Sequence, residues 1–150
     1  MAGETVDLAI LDGRKMLFID QIVGSQRLRT VSSIVERFPL TTTVNGKAAL
    51  ACLDDAKAAR LIIAEIETQS DVGPGLSHIL SEIEDIRNGE LATDEDEHTE
   101  GISALGFAAR DNSSEIYAIS IPVPSSRYGR LKVGLSEILL RYRRQLGGEG

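Results

Sequence analysis

Apolar and polar residues alternate in two runs near the start of the chain, on either side of Asp12-Gly13. A period of two predicts strands buried on one face, and Asp-Gly is a strong signal for a tight hairpin turn. We therefore predict a β-hairpin over residues 6–24. A third strand is predicted over residues 28–40, where the alternation is less regular and where Pro39 ends the strand.

The next segments favour helices. Thr42 or Thr43 can cap a helix in the stretch TTTVNGKAALACL, residues 41–53, and its alanines and leucines have high helix propensity. A second helix is predicted over residues 54–66, with an aspartate as its cap.

Amphipathic helices and strands follow in the second half. Residues 76–89 and 129–148 place leucine and isoleucine on one helical face, and each ends at glycine. Two strands are predicted between them, over 102–111 and 116–123, joined by a tight polar turn. The order is strands, helices, strands and a final helix, with hairpins at both ends. This order predicts an α+β fold in a single domain, with helices packed on a mostly antiparallel sheet of about six strands.

Composition narrows the possible functions. The chain has 16 basic and 23 acidic residues, a net charge of −7, so the domain as a whole is a poor nucleic-acid binder. Cys52 is the single cysteine, which excludes an internal disulfide and a cysteine zinc site. We expect a cytoplasmic protein without a membrane partner, because no apolar run approaches ~18 residues and the start lacks a signal-peptide pattern.

Gly46-Lys47 raises the question of a phosphate-binding loop. The loop needs a glycine five positions earlier and Ser or Thr after the lysine, but Thr41 and Ala48 stand at these positions. Two explanations remain. The helix start can present backbone amides to a small carboxylate, or Gly46 and Ala49 can let the helix lie close to the sheet. Composition alone favours the second.

Four motifs in register resemble the effector-binding domain of IclR-type transcriptional regulators. They are TTTVNGKAALACL, the opening hairpin VDLAILDGRKMLFIDQIVGSQRLR, the segment SEIEDIRNGELATDEDEHTEGISALGFAARD and the strand IYAISIPVPSSR. Their order and spacing match the family pattern across nearly all 150 residues.

The resemblance implies a GAF-like, profilin-like sensor domain over residues 1–150. Its ligand would lie between the sheet and the helix that begins in TTTVNGKAALACL. A carboxylate or aromatic acid is the expected effector, and a homodimer or tetramer the expected assembly. In full-length regulators a winged helix-turn-helix precedes this domain and binds DNA. It is absent from this sequence, so we expect an excised part of a longer protein.

The same resemblance implies an effector site built from three regions and one acidic position. The helix start contributes Thr43, Val44, Asn45 and Gly46. The strand after the acidic segment ATDEDEHTE, residues 92–100, contributes Ile102 and Ala104, and the last strand contributes Ser120 and Pro122. The acidic position is Asp94. Asp96 competes with Asp94 because this chain carries one extra residue there.

Other roles for these residues stay open. Asn45 and Ser120 can instead satisfy nearby protein groups, Asp94 can be a solvated strand residue, and Lys47 is expected to lie along the helix surface. Pro122 and Asn45 depart from the family pattern, so the polar groups of the pocket should differ from those of other members.

No catalytic or metal site is predicted. The two histidines, His78 and His98, lack the partners of a nucleophilic triad, and we expect His78 to be exposed and Cys52 to pack in the core. Asp94, Asp96, His98 and Glu100 could share one side of a strand and hold a divalent ion, but they lack the spacing of a calcium loop. We predict no cofactor. The alternatives to a sensor are a structural oligomerisation module without ligand and, less favoured, a small enzyme.

Overall fold

The computed structural model describes residues 5–22, 36–68, 75–96 and 100–146. These residues form six strands and four helices. In chain order they are β1 (Val6–Asp12), β2 (Lys15–Ile22), β3 (Arg37–Phe38), α1 (Val44–Ala51), α2 (Asp55–Thr68), α3 (Leu76–Arg87), β4 (Ala92–Glu95), β5 (Ile102–Arg110), β6 (Ile116–Pro124) and α4 (Ser125–Leu146).

The strands form one antiparallel sheet in the order β3-β2-β1-β6-β5-β4. Gly13 turns the first hairpin with a φ of +64°, in the left-handed region that favours glycine. The prediction of an α+β fold with about six mostly antiparallel strands is confirmed. The predicted third strand is reduced to the two residues of β3, since residues 28–35 lie outside the described part of the chain.

Helices cover both faces of the sheet. On one face α4 packs Leu135 and Leu139 against residues of β5 and β6 such as Leu105 and Ile121. On the other face α1, α2 and α3 bury Leu50, Ile62, Ile79 and Ile83 over Ala9, Met16 and Ala118 of the sheet. Period two along each strand divides the side chains between these two cores.

The last helix begins earlier than predicted. We expected it to start at Gly129, but α4 begins at Ser125, directly after β6. The Ser125 backbone amide donates to the Gly101 carbonyl at 2.8 Å, and Tyr128 is buried. The first turn of α4 is therefore held by a backbone hydrogen bond and by a packed aromatic side chain. The predicted apolar face is buried only as far as Leu139, because Tyr142 and Leu146 are 47% and 59% exposed.

Two glycines allow α1 to lie close to its neighbours. A Cβ on Gly106 of β5 would lie 2.6 Å from Cγ1 of Val44 and 2.4 Å from the Ile119 carbonyl oxygen. A Cβ on Gly46 would lie 2.3 Å from the Cα of Leu40. Gly46 is therefore a packing residue, as composition favoured, although its neighbour is the incoming loop and not the sheet. The close approach of α1 to β5 depends on Gly106.

Candidate functional site

The start of α1 is held by two polar side chains. Thr43 is the cap residue: its hydroxyl oxygen accepts from the Gly46 amide at 3.0 Å and donates to the Pro39 carbonyl at 2.7 Å. These bonds satisfy one of the free amides that every helix start carries. The choice left open by the sequence, Thr42 or Thr43, is thereby decided.

Glu65 on α2 fixes the loop that leads into α1. Its carboxylate accepts from the backbone amides of Leu40 and Thr41, at 2.7 and 2.9 Å, and from the Thr41 hydroxyl at 2.5 Å. Both donor residues are buried, with 0% and 1% exposure. Sequence reasoning missed this role because Glu65 contacts the loop only after α2 folds back against it.

A pocket of about 190 Å³ opens between the start of α1 and the sheet. It is smaller than the roughly 300–1,000 Å³ of pockets for drug-sized ligands, which limits an occupant to a small metabolite. Its lining consists of Asp7, Phe38, Thr43, Val44, Asn45, Asp94, Ile102, Ala104, Ser120 and Pro122. Eight of the nine residues predicted for the effector site are therefore together in one place.

Strand register explains why distant residues meet there. Asp7 of β1 lies opposite Ser120 of β6, and Ala104 of β5 lies between Pro122 of β6 and Asp94 of β4. Directly paired residues share one face of an antiparallel sheet, and this face is the one that α1 covers. The pairing of β6 with β1 stops at Ser120, so the missing amide of Pro122 does not interrupt that pairing.

Two sequence-based expectations, for Gly46 and for Lys47, differ from the structure in this region, and the alternatives left open for Asp94 and Asp96 can be compared with it. Gly46 does not line the pocket, because it packs on Leu40 and its amide donates to Thr43. Asp94 is 6% exposed and is not a solvated strand residue, and Asp96 does not take its place in the pocket lining.

The second difference concerns Lys47, which does not lie along the helix surface. Its side chain is fully buried, and its Nζ lies 3.1 Å from Oε2 of Glu82 on α3. A buried ammonium needs a paired charge, and Glu82 supplies one across the α1–α3 contact. Lys47 is absent from the pocket lining, so we assign it to the attachment of α1 to α3.

Sequence reasoning missed two pocket residues, Asp7 and Phe38. A signal for Asp7 was present, since period two places it on the same face as the buried Ala9. Gln21 donates to its Oδ1 from 2.9 Å, and within the described part of the chain Oδ2 makes no hydrogen bond. Burial raises the pKa of the Asp7 carboxyl, against the smaller lowering effect of Gln21. Ionisation of Asp7 therefore reduces the free energy of unfolding as the pH rises through that raised pKa.

Several hydrogen-bond acceptors line the pocket, beside the donors of the Asn45 amide and the Ser120 hydroxyl. Two carboxyl groups line it, and the buried Oδ1 of Asn45 lacks a hydrogen-bond partner in the described structure. None of the described lining residues is Lys, Arg or His. Among the described lining residues, therefore, no basic side chain is present to pair with the expected carboxylate or aromatic acid.

The acidic run does not form the alternative metal site within the described residues. β4 ends at Glu95, and Asp96 turns away with a φ of 66°. Asp96 accepts from the Ser125 hydroxyl and the Gly101 amide, and these bonds lower the pKa of its carboxyl. No three His, Cys, Asp or Glu side chains of the described residues are grouped so that they could hold a metal ion, and His98 lies outside the described residues.

The exposure of His78 and the packing of Cys52 agree with the predictions from the sequence. His78 has a side chain 62% exposed, as predicted. Cys52 is half-buried against the core, and burial raises the pKa of its thiol. No described helix combines the length and hydropathy needed to cross a bilayer.

Sequence comparisons give close and distant relatives. The family model described as the C-terminal domain of the bacterial transcriptional regulator IclR matches residues 1–146. The HTH-type transcriptional regulator Rv1719 of Mycobacterium tuberculosis is 43% identical over 129 residues, covering 85% of this chain and 50% of that protein. The HTH-type transcriptional regulator TtgV of Pseudomonas putida is 28% identical over 148 residues, covering 96% of this chain and 57% of that protein. The chain thus spans about half the length of these curated relatives.

Solved structures show the same fold at low identity. The effector domain of the putative transcriptional regulator IclR from Acinetobacter aligns with a TM-score of 0.79 at 20% identity, covering 97% of this chain and 87% of that one. The IclR structure from Thermotoga maritima aligns with a TM-score of 0.78 at 24% identity, covering 96% and 60%.

Proposed function

The chain belongs to the IclR family of bacterial transcriptional regulators, as a C-terminal domain of that family, and we propose that it binds a small-molecule effector in the pocket between α1 and the sheet. Its relatives are transcriptional regulators and not enzymes. The observation that supports the proposal is that eight of the nine residues that the family resemblance implies for the effector site line one pocket.

Effector binding would regulate DNA binding through a domain outside this sequence. The matched relatives carry HTH-type in their names, and the alignments cover only 50% and 57% of their lengths. The chain itself is acidic, with a net charge of −7, and is a poor partner for a phosphate backbone. We propose that residues 1–150 are the sensor of a cytoplasmic regulator with a helix-turn-helix encoded upstream. Gene sequence upstream that encodes no such motif would contradict this part.

The effector can act only by binding two arrangements of the protein with different affinity. The pocket is suited to that role because its walls come from separate elements, with Val44 on α1, Ala104 on β5 and Ser120 on β6. A bound molecule that contacts α1 and the sheet together would change their spacing, and α1 is attached in turn to α3 through Lys47 and Glu82.

Thermal unfolding with a panel of small organic compounds tests effector binding. At 100 times its dissociation constant a ligand adds about 2.7 kcal/mol to the free energy of unfolding, which raises the Tm of a domain of this size by roughly 5–10 °C. We expect Ala104→Leu to abolish the shift, because Ala104 lines the pocket and a leucine there fills part of its volume.

The matched control is Ala56→Leu, an exposed position on α2 away from the pocket. This variant should keep the full ligand-induced shift. A shift that survives equally in both variants would place the ligand elsewhere on the molecule, and the pocket assignment would then fail.

We also propose that the domain forms a homodimer or tetramer. The observation in favour is a pair of exposed apolar side chains on one face of α4, Tyr142 and Leu146, which lie four positions apart and are 47% and 59% exposed. Adjacent exposed apolar side chains of this kind can form part of a surface that another chain covers. Light scattering of the purified chain should give a mass of at least 2 × 16.2 kDa, and a monomer across the micromolar range would favour a domain that senses without assembling.

A further inference from the structure

We propose that the effector carries a hydrogen-bond-donating group, an ammonium or a hydroxyl, that binds Oδ2 of Asp7. This inference rests on the proposed effector site and specifies which class of small molecule the site selects. It departs from the carboxylate that the sequence resemblance implies.

The position of Asp7 carries the first part of the argument. Asp7 lies on β1 opposite Ser120 and lines the pocket. Gln21 donates to Oδ1 at 2.9 Å and thereby holds the carboxyl group in one orientation. Oδ2 makes no hydrogen bond within the described residues, so it is available to a donor that enters the pocket. A carboxylate oxygen accepts strong, charge-assisted hydrogen bonds from such donors.

The rest of the lining favours the same class of ligand. The pocket wall contains a second carboxyl group, from Asp94, and no described basic side chain. The buried Oδ1 of Asn45 is a further acceptor without a partner in the described chain. A buried acceptor that lacks a donor costs free energy, and a ligand that supplies the donor removes that cost. An anionic ligand would instead be repelled by the ionised Asp7 carboxylate.

The cost of keeping Asp7 in the fold points to a role in binding. Burial raises the pKa of its carboxyl. The free energy of unfolding of the unliganded domain is therefore lower with Asp7 ionised than with Asp7 uncharged. Groups with such perturbed pKa values, placed in a cleft, are enriched at functional sites. Apolar residues of the same lining, Val44, Ile102 and Pro122, would contact a short hydrocarbon part of the same ligand.

A matched set of probes tests the inference: isobutylamine, isobutanol and isobutyrate share one small hydrocarbon skeleton and differ in the polar group. Dissociation constants are measured by NMR titration of the full chain at pH 7. We expect isobutylamine to bind most tightly, isobutanol next and isobutyrate most weakly. Asp7→Asn should weaken isobutylamine binding at least about tenfold, because the charge-assisted bond is lost.

The control for charge is Asp85→Asn, which removes one acidic group from α3 outside this pocket and should leave the order unchanged. Asp7→Asn should fold, because its amide oxygen can still accept from Gln21, and its Tm should equal or exceed that of the unchanged chain. Tightest binding by isobutyrate, or an unchanged amine affinity in Asp7→Asn, would overturn the inference and leave the effector site intact. Absence of saturable binding by all three probes would overturn the effector site as well.

Discussion

Replacing Gly46 by alanine should destabilise the domain by about 3 kcal/mol or more. The added Cβ would lie 2.3 Å from both the Cα and the carbonyl oxygen of Leu40 and 2.6 Å from its carbonyl carbon. All three atoms are backbone, so no side-chain rotation can relieve the clash. Leu40 is also fixed by Glu65 through its amide, which prevents the loop from moving away. Chemical denaturation monitored by circular dichroism measures the loss.

The control for this substitution is Gly134→Ala. Gly134 lies in the exposed part of α4, and a Cβ there would meet nothing within 4 Å. Alanine is the better helix former, so this variant should gain about 0.5–1 kcal/mol. Equal stability of Gly46→Ala and the unchanged chain would show that the loop before α1 is not packed as described.

Replacing Glu65 by alanine should cost about 3–5 kcal/mol and should weaken effector binding. The variant leaves the buried amides of Leu40 and Thr41 and the Thr41 hydroxyl without their acceptor. Each buried donor that loses its partner costs about 1–3 kcal/mol. The loop positions Thr43 and the start of α1, so the pocket should be disordered at its α1 wall. Denaturation and ligand-induced thermal shift are measured on the same samples.

Two variants separate this role from general effects of charge on α2. Glu67→Ala removes an exposed carboxylate from the same helix and should change stability by less than about 0.5 kcal/mol. Glu65→Gln keeps one acceptor oxygen and should fall between the two. A Glu65→Ala variant as stable as Glu67→Ala would contradict the assignment of Glu65 as the anchor of the loop.

The sequence predicted the fold well wherever the signal is local. The turn at Asp12-Gly13, the cap at Thr43 and the apolar face of α3 each depend on residues within one or two turns of chain. The start of α4 was misplaced because Ser125 is fixed by the carbonyl of Gly101, a contact between segments that no periodicity reveals.

The pocket was predicted largely from the resemblance, and its errors share one physical cause. Lys47 is buried because Glu82, 35 residues later, faces it across α1 and α3. Asp94 is buried because β4 pairs with β5. Asp7 enters the pocket through its pairing with Ser120 on β6. Each environment is set by contacts between distant segments, and a pattern of polar and apolar residues along the chain does not contain them.

Amide chemical-shift mapping is the most direct test of the effector site. Two-dimensional ¹H–¹⁵N spectra of the labelled chain are recorded during titration with isobutylamine. We predict that the amides of Val44, Ala104 and Ser120 shift together and saturate, because these residues line the pocket between α1, β5 and β6. Saturating shifts confined to α4, or no shifts at these three residues, would contradict an effector site between α1 and the sheet.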